Sequence, residues 1–336
     1  MRRSRSPGAA QTVAVTGASA GVGRAIAHAF ARRGAAVALL ARDEEGLAAA
    51  AREVEELGGR ALALPVDVAD AEAVERVASE IEERLGPLDV WVNDAMATIL
   101  APVHEISAAE FERATRVTYL GTVHGTMAAL ARMRPRNRGT IVQVGSALSY
   151  LAIPLQAPYC GAKFAIRGFT NSLRVELQHE HSGVWITMVQ LPAVNTPQFE
   201  WCLTRMPNHP QPVAPIFQPE VPAEAVYWAA HHRRRELWVA HSTVKAILAS
   251  YFAPSLADRY LARTGYRAQQ MGDLPVAADR PSNLFQTVPG AAATHGRFDE
   301  RATSRSTQLW LAEHRNLLLA AGASALAAGL VGITRR

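Results

Sequence analysis

From Thr12 onward the chain alternates short apolar runs with longer stretches of helical periodicity: TVAVTG, GVGRAIAHAFARRG, AAVALLAR, DEEGLAAAAREVEELG, RALALPVDV, AEAVERVASEIEERLG and LDVWVNDA. Repeated βα alternation predicts a parallel sheet covered by helices on both faces, an α/β fold. The glycines of Thr16-Gly17-Ala18-Ser19-Ala20-Gly21-Val22-Gly23 fall where the first strand turns into the first helix. There they permit a tight turn, a close approach of backbone to a diphosphate, and close packing of helix on strand. The helix N-terminus then faces the anion. A lone glycine pattern is weak evidence; this one has the strand before it and the helix after it, as the mechanism requires.

A second constellation lies in Gly139 to Ile166. Ile141 to Val144 form a β-branched apolar run suited to a buried strand, with Ser146 just past its end, Tyr159 thirteen residues later and Lys163 four beyond that. A phenol and an ammonium at i and i+4 share one helix face, which predicts the cation within reach of the ring oxygen. A phenol titrating near ~10 needs roughly three units of depression, about 4 kcal/mol, to work near neutrality, and a neighbouring cation favours the phenolate. The Ser146 hydroxyl is placed to hold a substrate oxygen beside it. Taken alone, Tyr-x-x-x-Lys also suits an ordinary solvated helix. Composition argues against that reading, because Lys163 and Lys245 are the only lysines in an arginine-rich chain.

At 336 residues and 49% hydrophobic content the chain supports one large α/β domain with extensions. The formal charge of +5 is spread, and its densest cluster, His231 to Arg235, reads as a solvated helix end, so no nucleic-acid partner is expected. Cys160 and Cys202 supply neither a disulfide framework nor metal-ligand spacing, which fits a reducing, cytoplasmic compartment; no metal is expected. Residues 1–11 are basic and turn-rich without an apolar core, and read as a disordered lead-in instead of a signal peptide.

Thr16-Gly-x-x-x-Gly-x-Gly23 followed by Ser146 and Tyr159-x-x-x-Lys163 resembles the short-chain dehydrogenase/reductase family, over roughly Thr12 to Val239. The resemblance implies a doubly wound Rossmann-type domain that transfers hydride between a nicotinamide dinucleotide and a small-molecule carbonyl or alcohol. By position, Tyr159 would be the proton donor or acceptor, Lys163 would hold the nicotinamide ribose, and Ser146 would orient substrate. Gly17, Ser19, Gly21, Val22, Gly23, Asp67, Val68, Asn93 and Thr196 would contact the cofactor. Pairing of subunits through helices at about 107 to 133 and 157 to 181 would follow the family habit. The chain departs from the family at Asp94 and Met96, where it reads Asn93-Asp94-Ala95-Met96 in place of Asn-Asn-Ala-Gly, at Pro192-Ala193, and at Thr118, which stands where the family has its catalytic asparagine. Thr118 is therefore included among the candidate catalytic residues. The departures admit two readings, tolerated variation or a dinucleotide-binding or membrane-attached regulatory protein impaired in turnover.

The second strand ends at Ala41 without a carboxylate for the adenine ribose, and Arg42 follows, so NADP(H) is expected over NAD(H). The competing reading gives Arg42 only the start of a solvated helix. Residues 195–222, rich in proline and aromatics, are expected to form a lid, and its apolar character points to an apolar substrate, although the same aromatics would also serve to pack the lid on the sheet. The catalytic domain is expected to span 12–263, followed by a loop-like connection at 264–306 and a C-terminal helix at 307–336. Within that last part Leu317 to Ile333, LLLAAGASALAAGLVGI, carries no charge. A helix apolar all round is buried in protein or in lipid. Seventeen residues at 1.5 Å each reach about 25 Å, marginal for a hydrocarbon core of about 30 Å. Membrane contact through this segment and docking on the catalytic domain or on a second subunit are both open.

Overall fold

The structure is a computed structural model that describes residues 10–315. Seven strands form its central sheet: β1 (Thr12–Thr16), β2 (Ala36–Ala41), β3 (Arg60–Pro65), β4 (Val90–Asn93), β5 (Gly139–Ser146), β6 (Val184–Leu191) and β7 (Glu236–Trp238). All neighbours are parallel, in the order β3-β2-β1-β4-β5-β6-β7. The order reverses between β1 and β4, and the crevice at such a switch point is where open α/β sheets take ligands.

Period-two alternation separates two cores. Val13, Val15, Val37 and Leu39 face one layer, built from α1 (Gly21–Ala31), α2 (Glu44–Glu56) and, after the later strands, α7 (Glu220–His231). Ala14, Ala38, Leu40 and Trp91 face the other, with α3 (Ala71–Leu85), α5 (Gly121–Met133) and α6 (Ala157–His179). Strands buried on both faces are what continuous apolar runs predict. Asp43 and Asp70 cap α2 and α3 by accepting from Gly46 N–H and Ala73 N–H, and Ser107 closes a capping box with Glu110 at α4 (Ala108–Thr115). Between α4 and α5 the chain makes one π-helical turn, Arg116–Leu120. Gly121 and Gly125 then bring α5 so close to Val68 and Trp91 that a Cβ would lie 2.6 Å or less from them.

The expected boundaries need correction beyond β7. Two helices follow, α8 (Ala240–Phe252) and α9 (Pro254–Ala268), meeting at Ala253-Pro254, so an end at 263 cuts through α9. The 264–306 stretch is not mostly loop at its start: after α9, Gln270–Pro275 is a strand antiparallel to Asn208–Pro210. The remainder is tied to the domain by backbone hydrogen bonds that hydrophobic periodicity does not register. Ser146 is the last residue of β5, not the first beyond it. Of the C-terminal helix, α10 (Thr307–Glu313) is described, and the apolar segment 317–333 lies outside the described residues, as do residues 1–9. Among the described residues no helix is long and apolar enough to cross a membrane.

Candidate active site

A cavity of about 830 Å³ runs along the C-terminal ends of the strands. One end is the β1–α1 turn, where Gly17, Ser19, Gly21 and Val22 line the wall. Gly17 (φ +73°) and Gly21 (φ +56°) adopt backbone conformations that favour glycine. A Cβ on Gly17 would also strike the Ala95 backbone at 2.9 Å. Gly23 lies beneath the wall; its Cβ position is 2.3 Å from the Gly17 carbonyl oxygen, so it serves the packing of helix on turn. No side chain caps α1 at Ala20; of its first-turn amides, the Gly21 N–H donates to the Ala293 carbonyl (2.9 Å) and the Gly23 N–H to the Asp94 carboxylate.

Arg42, Asp67 and Val68 line the same end. Burial works to raise the Asp67 carboxyl, but the Arg113 guanidinium 2.6 Å away and the Ala69 N–H prevail and hold it below the usual range. Arg42 is drawn down by burial and by its neighbour Arg113. It donates to the carbonyls of Phe285 (3.0 Å) and Asn283 (2.5 Å), which rules out a merely solvated helix start.

At the other end Ser146, Tyr159, Lys163 and Thr196 come together. The Tyr159 hydroxyl is hydrogen-bonded to Ser146, and burial pushes the phenol well above its ordinary value despite that bond. The expected depression by Lys163 is not seen. The Lys163 ammonium, 5.4 Å from the centre of the Tyr159 ring, donates at 2.6 Å to the Val144 carbonyl, and burial lowers its affinity for the proton. Opposing that burial is Asp94, whose carboxylate accepts from the Gly23 N–H and is itself raised by burial while Lys163 pulls it back.

Two expected residues turn away from the cavity. Asn93 points into the core, where its carbonyl oxygen accepts from Trp91 Nε1 (2.8 Å) and its amide donates to Thr126 and Gln143. Alternation along β4 explains the difference, since it is the next residue, Asp94, that reaches the cavity. Thr118 is fully buried in the π-helical turn; its hydroxyl accepts from the Ala97 N–H (2.9 Å) and donates to the Ala97 carbonyl (3.1 Å). Hooked in this way it braces the segment after β4 and does not face the cavity.

The sequence motifs also missed two walls. Ala246, Ala249, Ala253, Ala257 and Leu261 on α8 and α9 make an apolar side, joined to the site through Gln156, whose amide donates to Gln269 at 2.7 Å. The other is a strap formed by residues 283–296. Besides holding Arg42, it receives an Arg113 hydrogen bond at Leu284, accepts the Gly21 N–H at the Ala293 carbonyl (2.9 Å), and runs against Thr196 at Gly296. Asn283, Thr287 and Val288 of the strap line the cavity. Its anchor is Leu284, 1% exposed in the fold and without any periodic apolar pattern around it to mark it in sequence. Among the described residues no three His, Cys, Asp or Glu gather as metal ligands.

The lining suits a nicotinamide dinucleotide: a glycine turn at a helix N-terminus that lets backbone approach a diphosphate, Arg42 for a phosphate, hydroxyl and ammonium groups at the far end, and a cavity of about 830 Å³ that joins them. Comparison with known proteins agrees. The short chain dehydrogenase family pattern matches residues 11–202. An uncharacterized oxidoreductase, YxnA of Bacillus subtilis, is 30% identical over 96% of this chain and 89% of its own. The 3-dehydrosphinganine reductase of Danio rerio is 34% identical over 56% of this chain and 57% of its own. Among solved structures, a metagenomic short-chain oxidoreductase in complex with NADP superimposes with a TM-score of 0.58 at 27% identity, covering 68% of this chain and 96% of that one.

Proposed function

Because the chain belongs to the short-chain dehydrogenase family and resembles an oxidoreductase and a 3-dehydrosphinganine reductase, we propose that it transfers hydride between NADP(H) and a ketone or secondary alcohol on an apolar substrate. The observation that carries this reading is the convergence of Ser146, Tyr159 and Lys163 in the cavity that begins at the glycine turn. Bound there, the dinucleotide supplies or accepts the hydride. The chain's own residues do the rest. Ser146 donates to the substrate oxygen, and Tyr159, kept protonated by burial, delivers a proton to that oxygen in the direction of reduction. Lys163 holds ribose hydroxyls, and Thr196 borders the nicotinamide end. The apolar wall from α8 and α9, with Leu148, Leu151 and Trp201 opposite, excludes water and accepts a hydrocarbon substituent.

Preference for NADP(H) follows from Arg42. β2 ends at Ala41 with no carboxylate for the ribose, while the guanidinium, steadied by two strap carbonyls, lines the cavity at that end and has further N–H groups to offer a 2′-phosphate.

The test compares NADP(H) and NAD(H) in binding and in turnover over ketones and secondary alcohols of increasing alkyl length. Equal or tighter NAD(H) binding would sink the cofactor assignment. Tyr159→Phe is expected to lose roughly 100-fold to 10,000-fold of rate while binding cofactor normally. Near-normal activity in that variant would mean that the proton travels elsewhere, and cofactor binding without turnover on any substrate would favour the impaired, regulatory reading.

A further inference from the structure

The helix pair α8–α9 forms the apolar wall of the cavity on its inner side. Its outer side is largely exposed: α10 touches α8 and Tyr251 meets Tyr150 edge to face at 5.8 Å, but most of α9 packs against nothing there. Of the fifteen residues of α9 only Gly265 is buried. Phe252, at the tip between the helices, is 83% exposed, with Tyr251 at 60%, Leu248 at 43%, Leu256 at 64% and Tyr260 at 66%. Leu256 and Tyr260 also line the cavity, so the exposed apolar face continues into the interior wall around one mouth. An exposed apolar patch of this kind marks an interaction surface.

Charge selects the partner. Within residues 240–268 the bases are Lys245, Arg259, Arg263 and Arg267, and the only acid is Asp258. All five are exposed, and none of the four bases has an ion-pair partner among the described residues. An apolar face with tyrosines at its rim and cations around it matches an anionic lipid surface, where apolar side chains enter the acyl boundary and basic ones meet the headgroups. We propose that the α8–α9 tip docks on an anionic bilayer and opens the cavity mouth toward it, so that a lipophilic substrate enters from the membrane. The docking surface stands independently; the entry route rests on the oxidoreductase reading above.

The test places a nitrobenzoxadiazole fluorophore on Phe252→Cys in the full chain. Cys160 and Cys202 are 4% and 3% exposed, so the label goes to the new thiol. Ala48→Cys on α2, at the opposite edge of the sheet, carries the control label. Vesicles of phosphatidylcholine with phosphatidylglycerol are expected to shift the emission at 252 to shorter wavelength. Vesicles of phosphatidylcholine alone should do so weakly, and salt near ~1 M, where the screening length falls to about 3 Å, should reverse the shift. Arg259→Glu with Arg263→Glu should weaken the response at least fivefold while leaving cofactor affinity unchanged. A label at 252 that stays silent on anionic vesicles overturns the proposal, even if residues 317–333 anchor the chain. Equal responses at 48 and 252, or a response at 252 that follows protein concentration without lipid, overturn it in favour of nonspecific adsorption or a second copy of the chain. None of these readouts requires turnover, so docking and the catalytic reading fail separately.

Discussion

Asp94 is the departure from the family's pattern that puts a carboxylate into the cavity lining. An amide would carry no charge; the carboxylate sits between the Gly23 N–H and Lys163, and its charge adds a smaller push to the burial that raises the phenol of Tyr159. On the proposed reading, reduction needs that phenol protonated, so activity is expected to fall as pH rises through the Tyr159 pKa. Removing an anion stabilises the phenolate and lowers that pKa. Asp94→Asn is therefore expected to move the alkaline limb of the kcat profile for reduction to lower pH. An unmoved limb, or one displaced upward, would show that Asp94 and Tyr159 do not communicate. Tyr159, Ser146 and Lys163 were legible because i, i+4 spacing on a helix and a strand end are local geometry. The direction of the Tyr159 shift was not. It depends on burial by distant segments and on the Val144 carbonyl that engages Lys163, neither of which spacing reveals.

Among the elements, the β1–α1 turn and the strap make one end of the cavity between them, the end proposed to hold the cofactor phosphates. The turn is readable because its glycines, strand and helix are contiguous in sequence. The strap reaches Arg42 from some 241 residues away, through backbone carbonyls that carry no side-chain signature. Its anchor is Leu284, packed in the same core as Val66 and Val68. Leu284→Ala should forfeit part of the ~2–5 kcal/mol typical of a buried leucine, and each ~1.4 kcal/mol taken from the closed strap costs tenfold in affinity. Binding of NADP(H) and NAD(H) should weaken together, by about tenfold. Arg42→Ala, by contrast, should weaken NADP(H) more than NAD(H). Titration calorimetry on both variants separates the roles; a Leu284→Ala protein with unchanged affinity for both cofactors would reduce the strap to a passive cover.

For the whole molecule, an apolar face lies on the side of the sheet away from α1 and α2. Phe111 on α4, Leu120 in the π turn, Met127 on α5, and Phe164 and Val175 on α6 are all exposed, and α4 packs beside α6. The family habit of pairing through these helices has a surface suited to it here, distinct from the α8–α9 tip. Met127, 61% exposed, is expected to lie within the subunit contact. Met127→Glu would bury a charge there and should halve the mass measured by light scattering, leaving the fold intact. A wild-type chain already monomeric at micromolar concentration would remove this expectation.

Hydrophobic alternation and the glycine turn were sufficient, from sequence alone, for the parallel sheet, its two helical layers and the tight β1–α1 turn, because each depends on residues a few positions apart. β2 ending at Ala41 and Arg42 after it were equally local. Tertiary structure decided what covers the site. It turned Asn93 and Thr118 into the core, brought Asp94 to Lys163, folded the strap onto Arg42, and set α8 and α9 as a wall with a largely exposed outer face. Those outcomes rest on contacts between segments tens to hundreds of residues apart, whose partners no local periodicity names.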